Sequence, residues 1–90
     1  MSVKINIHPL LTHLTDEQTV VEVDGNSVGQ CLEELVAQFP DLKKWLYGKN
    51  GKLSNFIDIY VNMESSYPDE LAKPVKDGDE IHIISMVSGG

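Results

Sequence analysis

The 90-residue chain contains no arginine. Its seven lysines face fourteen acidic side chains, for a net charge of -7, and they do not cluster into the basic face that a phosphate backbone requires, so no nucleic-acid partner is expected. Cysteine is nearly absent as well. The single Cys31 rules out an internal disulfide framework and suits a reducing compartment, so a cytoplasmic protein is expected. Long apolar runs are also missing: Met1 to Ile7 alternates, so neither a signal peptide nor a membrane span is expected. There is no internal repeat and no low-complexity segment. At this length a single small core is possible but a two-domain enzyme with its own cleft is not, which favours a binding or carrier module over an enzyme. The acidic balance favours fast, salt-sensitive docking to a basic patch on another protein.

What is present reads as alternating strands around one helix. Val3, Ile5 and Ile7 alternate with Lys4, Asn6 and His8 in the period of a half-buried strand closed by Pro9, and Thr19 to Val23 is a second strand. After Asp24-Gly25-Asn26, Ser27 stands three residues before Gln30, the spacing of a capping box, so a helix starts there. Val28, Cys31, Leu32, Leu35, Val36 and Phe39 form one apolar stripe, with Glu33 and Glu34 outside it, and Pro40 ends the helix. A short helical turn over 42–47 and a loop over 48–51 follow. Phe56 to Val61 alternates as a third strand, and 62–68 is turn-rich. Leu71 to Val75 holds at most a short edge-like strand, because Pro74 cannot donate to a ladder. A tight turn at Lys76-Asp77-Gly78-Asp79 leads into a last strand from Glu80 to Val87. One amphipathic helix covers one face of a mixed sheet: a two-layer α+β domain.

The ending, Val87-Ser88-Gly89-Gly90, leaves directly from that last strand. Extended at roughly 3.3 Å per residue, these four residues reach about 13 Å. The last two carry no side chain to block a narrow channel. The expected organisation is a folded body over 1–87 and a flexible Ser88-Gly89-Gly90 tail that can present its terminal carboxylate inside another protein's active site.

The element order, together with Gly51-Lys52-Leu53, Phe56-Ile57-Asp58-Ile59-Tyr60-Val61-Asn62, Leu71-Ala72, Asp77-Gly78-Asp79-Glu80-Ile81 and the Gly89-Gly90 ending, resembles the β-grasp fold of ubiquitin and of the small bacterial and archaeal sulfur carriers. That family includes the molybdopterin-synthase small subunit and the thiamine sulfur carrier. The chain looks most like the carriers that feed sulfur into cysteine synthesis, and more distantly like the molybdopterin type. Ser88 stands where many members have alanine, an equally small residue. The resemblance implies a protein substrate with no bound cofactor. By the same resemblance, a ubiquitin-activating-type adenylyltransferase is expected to use ATP to adenylate Gly90, a sulfur donor enzyme to convert it to a thiocarboxylate, and a biosynthetic enzyme to accept the sulfur.

The remaining candidates read as structural or as docking residues. Cys31 sits in the helix stripe, where a free cysteine acts as a small hydrophobe. His8, His13 and His82 lack the spacing and companions of a zinc site. The acidic pairs Asp16-Glu17, Glu33-Glu34 and Asp69-Glu70 read as solvated surface, not as acid-base pairs. If Val3, Ile5, Ile57, Ile59, Ile81 and Ile83 face the helix, then Phe56, Tyr60, His82, Ile84 and Met86 face away, on a side one helix cannot cover. Apolar groups gathered there mark a partner site, unless the segment from Leu42 to Ser54 folds over them. Two rival functions share the tail: a ubiquitin-like modifier joined through Gly90 to lysines, and an interaction subunit whose tail is not chemically changed.

Overall fold

Strand β1 (Ser2–Asn6) buries Val3 and Ile5 and turns Lys4 outward, as its alternation requires. The computed structural model describes residues 2–48, 51–54, 56–66 and 71–85. Along them follow a 3-10 helix (Pro9–Leu14), β2 (Val20–Asp24), α1 (Val28–Gln38), a second 3-10 turn (Pro40–Leu42), α2 (Lys43–Leu46), β3 (Ile57–Val61), β4 (Glu64–Ser65) and β5 (Glu80–Ser85). The sheet has five strands in the order β2-β1-β5-β3-β4, with β1 and β5 parallel and the other pairs antiparallel. This is the mixed sheet under one main helix that the sequence implied. The first 3-10 helix was not foreseen; Pro9 starts it, and it seats Leu11 in the core.

Helix α1 begins where the capping pattern places it. The Gln30 N–H donates to the Ser27 hydroxyl at 3.2 Å, while Gln30 Oε1 accepts from the Asn26 N–H at 2.8 Å, one residue earlier than the usual reciprocal bond. Val28, Cys31, Leu32 and Leu35 are fully buried, whereas Val36, placed in the same stripe, is only half-buried. They join Val3, Ile5, Val21, Val23, Ile57, Ile59, Ile81 and Ile83 in one core, and Leu42 and Leu46 complete it. The segment from Leu42 therefore packs into the core with α1 and leaves Phe56 and Ile84 exposed on the sheet.

One element lies elsewhere than the sequence indicated. Among the described residues, the short edge strand is Glu64–Ser65, inside the stretch read as turns; Leu71 to Val75 forms only an isolated bridge between Pro74 and Ser27. The reason is the start of α1, whose first N–H groups have no partner within the helix. The Val28 N–H donates to the Lys73 carbonyl and the Gly29 N–H to the Leu71 carbonyl, both at 2.9 Å, while the Val75 N–H returns to the Asn26 carbonyl at 2.9 Å. The segment straps the helix start instead of extending the sheet. Glu64–Ser65 reaches the edge because Asn62 and Met63 both take positive φ, 50° and 71°, the geometry of a two-residue hairpin turn that follows the strand twist.

Candidate functional site

The outer face of the sheet is built by the residues that alternate with the core. On β3 and β5, Tyr60 stands opposite His82 and Asp58 opposite Ile84. Tyr60 and His82 are half-buried by one another's strands, Ile84 is 37% exposed, and Phe56, in the turn before β3, is 61% exposed. The structure thus brings Tyr60, His82 and Ile84 together on one face, with Phe56 just before the strand that carries Tyr60. Met86, Ser88, Gly89 and Gly90 lie outside the described residues, as does Asp69-Glu70. Because Ser85 pairs with Ile57, the described part of β5 ends beside the start of β3, near Phe56.

The face is less apolar than the five candidates alone imply. Asp58 and Glu80 share it, and Lys4 on β1 lies opposite Glu22 on β2 and beside Glu80 on β5. The alternation that marks Tyr60 and His82 marks these charges too: Asp58 is two residues before Tyr60, and Glu80 two before His82. The Asp58 carboxylate also accepts from the Ile59 N–H at 2.9 Å. The result is a mixed face in which Asp58 lies directly opposite Ile84 and Glu80 lies two residues before His82, suited to a partner that offers both apolar contact and cations.

Below the face, the turn into β5 is locked by Asp79. Its carboxylate accepts from the Asn62 side-chain amide at 3.0 Å and from the Lys76 N–H at 2.9 Å, and Asn62 Oδ1 accepts from the Glu80 N–H at 3.0 Å. The Asn62 amide first, and the Lys76 N–H second, hold the Asp79 carboxyl below the usual carboxylate range. The lock ties the β3–β4 hairpin to the start of β5 and fixes the register in which Tyr60 meets His82.

The other candidates are structural. Cys31 is fully buried and burial pushes its thiol up, which disfavours the reactive thiolate. His8 caps the first 3-10 helix by accepting from the Leu10 N–H at 3.1 Å. Among the described residues no group of histidine, cysteine and carboxylates could hold a metal ion, and no helix is long and apolar enough to cross a membrane.

With this geometry established, comparison with known proteins gives a consistent result. The model of the ThiS family matches residues 8–90. Sulfur carrier protein CysO of Mycobacterium tuberculosis is 32% identical over 93 residues, covering all of both chains. Small archaeal modifier protein 1 of Haloferax volcanii is 34% identical over 82 residues, 89% of this chain and 91% of that one. A crystal structure of SAMP1 from Haloferax volcanii superimposes with a TM-score of 0.88 at 28% identity over the whole of both chains. A chain of the Amycolatopsis orientalis BexX/CysO complex also gives a TM-score of 0.88, at 31% identity, over 98% of this chain and 99% of that one. The architecture is the ubiquitin-like β-grasp.

Proposed function

The chain belongs to the ThiS family of ubiquitin-like sulfur carriers, and from that membership we propose that Gly90 is the point at which partner enzymes activate it and load it with sulfur. A sulfur carrier or a ubiquitin-like modifier is the class its relatives define. The observation that carries the finer reading is the similarity to sulfur carrier protein CysO along the entire chain.

The chemistry explains why such a protein needs no catalytic residues of its own. A carboxylate is a poor electrophile because oxide is a bad leaving group. A ubiquitin-activating-type adenylyltransferase joins the Gly90 carboxylate to the AMP moiety of ATP and releases pyrophosphate. Sulfide, or the terminal sulfur of a donor enzyme's persulfide, then displaces AMP. Where the sulfur comes from a persulfide, a reductant or a second thiol cleaves the resulting acyl disulfide. The thiocarboxylate that remains at Gly90 is a better nucleophile than the carboxylate and stays attached to a body that can be recognised. A biosynthetic enzyme accepts the sulfur for cysteine, a related amino acid or molybdopterin. Nucleotide and sulfur donor belong to the partners, this chain is their substrate in the cytoplasm, and Phe56, Tyr60, His82, Ile84 and Met86 form the docking face, with Ser88 and Gly89 threading the partner's channel.

Intact-mass measurement of the protein isolated from its native cells tests this reading. A gain equal to exchanging one oxygen for sulfur is expected. Conjugates to lysines of other proteins support instead the modifier reading, which the similarity to small archaeal modifier protein 1 favours. Neither product leaves a non-reactive interaction subunit. Changing Gly89 to Val, or deleting Gly90, is expected to abolish thiocarboxylate formation while leaving the unfolding midpoint unchanged. Full ATP–pyrophosphate exchange with the shortened tail would sink the proposal.

A further inference from the structure

The sheet has two edges, and they are treated differently. β4 is only two residues long, which blunts that side. β2, at the other edge, is five residues long, carries no proline or glycine, and has no strand beyond it among the described residues. Its pairing decides which backbone groups are free. The Lys4 N–H donates to the Asp79 carbonyl at 3.1 Å, toward β5, so the backbone groups of Val3 and Ile5 point the other way, to their register partners Val23 and Val21. The Ile7 N–H, in the same phase, donates to the Thr19 carbonyl at 2.8 Å. The N–H and C=O of Val20 and Glu22 therefore point outward, away from the sheet, and both residues are exposed.

The side of that edge that faces α1 is acidic. Among the described residues, the charged side chains lining a groove beside β2 are Glu22, Asp24 and Glu34, and those lining an adjoining one are Asp24, Glu33 and Glu34; a third groove, on the other side of Glu22, holds Lys4. One wall is the strand edge from which the main-chain groups of Val20 and Glu22 point outward; the other is the acidic outer side of α1. Lys4, opposite Glu22, lies one strand further in and is shared with Glu80.

We propose that the free edge of β2 is a docking site for an extended lysine- or arginine-bearing segment of a partner protein, which joins the sheet as an added strand. The main-chain groups of Val20 and Glu22 supply the ladder, and the carboxylates of Glu22, Glu33 and Glu34 select for cations on the incoming strand. A second copy of this chain does not fit, because pairing two β2 edges sets like charges against one another across the new ladder. The site lies at the edge opposite β3 and β4, uses neither Phe56 nor the tail, and is independent of the chemistry proposed for Gly90.

The test is amide hydrogen exchange followed by NMR, with an end-capped peptide of alternating valine and lysine as the probe. Addition of the peptide is expected to protect the Val20 and Glu22 amides, and to leave those of Val21 and Val23, already bonded to β1, unchanged. A peptide with glutamate in place of lysine is expected not to bind. The double variant Glu22→Lys and Glu34→Lys, both at exposed positions, should weaken the lysine peptide about tenfold or more. The proposal is overturned by no binding, by binding that leaves the Val20 and Glu22 amides unprotected, by equal affinity for the charge-reversed protein, or by sedimentation showing that β2 pairs two copies of the chain. None of these outcomes bears on sulfur loading, which intact mass reports separately.

Discussion

Leu32 and Asp79 show how single residues hold this fold by different physics. Leu32 is fully buried on α1 among the core side chains of the sheet. Leu32→Ala should destabilise by about 2 to 5 kcal/mol, the range for large-to-small changes where the core relaxes only partly. Urea unfolding reads this directly, and a loss below about 1 kcal/mol would remove Leu32 from the core. Asp79 acts through its charge. Its folded-state carboxyl is held below the usual range, so it contributes stability above its unfolded value and loses it as pH falls through the folded one. The stability gap between the parent and Asp79→Asn should be largest near neutral pH and shrink below about pH 4. A gap that stays constant through the acid range would mean that Asp79 carries no stabilising charge.

At the scale of elements, the start of α1 reverses a rule of propensity. Glycine inside a helix costs about 1 kcal/mol relative to alanine, so Gly29→Ala reads from sequence as a stabilising change. A Cβ at Gly29, however, would stand 2.9 Å from the Leu71 carbonyl oxygen, a main-chain atom held there by the Gly29 N–H itself. Gly29→Ala should therefore lower stability, by about 1 to 3 kcal/mol as crowded sites do, and thermal unfolding would show it. A raised midpoint would mean that the strap over 71–75 yields at little cost. The same strap explains why a segment read as an edge strand is not in the sheet. Pro74 had marked the segment as a poor strand, but only the folded helix start supplies the N–H groups that claim its carbonyls.

For the molecule as a whole, the outer sheet face and the net charge of -7 bear on association more than on stability. Ile84→Asp should weaken binding to the proposed activating enzyme, and because it sets a second carboxylate opposite Asp58 it should lower the unfolding free energy by about 1 kcal/mol, which leaves the protein folded. Calorimetry that finds the variant binding like the parent would place the partner elsewhere. Association should slow with rising salt, because exposed charges are screened beyond about 8 Å at physiological ionic strength. Rates that do not depend on salt would rule out acidic steering.

Sequence by itself determined the order of the long elements, the phase of each strand and the helix start, since these depend on local periodicity and on groups a few residues apart. It marked Ile57, Ile59, Ile81 and Ile83 for the core, and Tyr60, His82 and Ile84 for the other side, by period two alone. It also carried the resemblance that led to Gly90. Tertiary structure decided what depends on residues distant in the chain. It set which strands are neighbours, and so that Lys4 lies between Glu22 and Glu80, and that β2 is left with an open edge. It joined Asp79 to Asn62, and Gly29 to Leu71, across 17 and 42 positions of chain. Hydrogen bonds and charges act over a few ångströms of space whatever the separation along the chain, so no local pattern could announce these pairings before the core had brought the segments together.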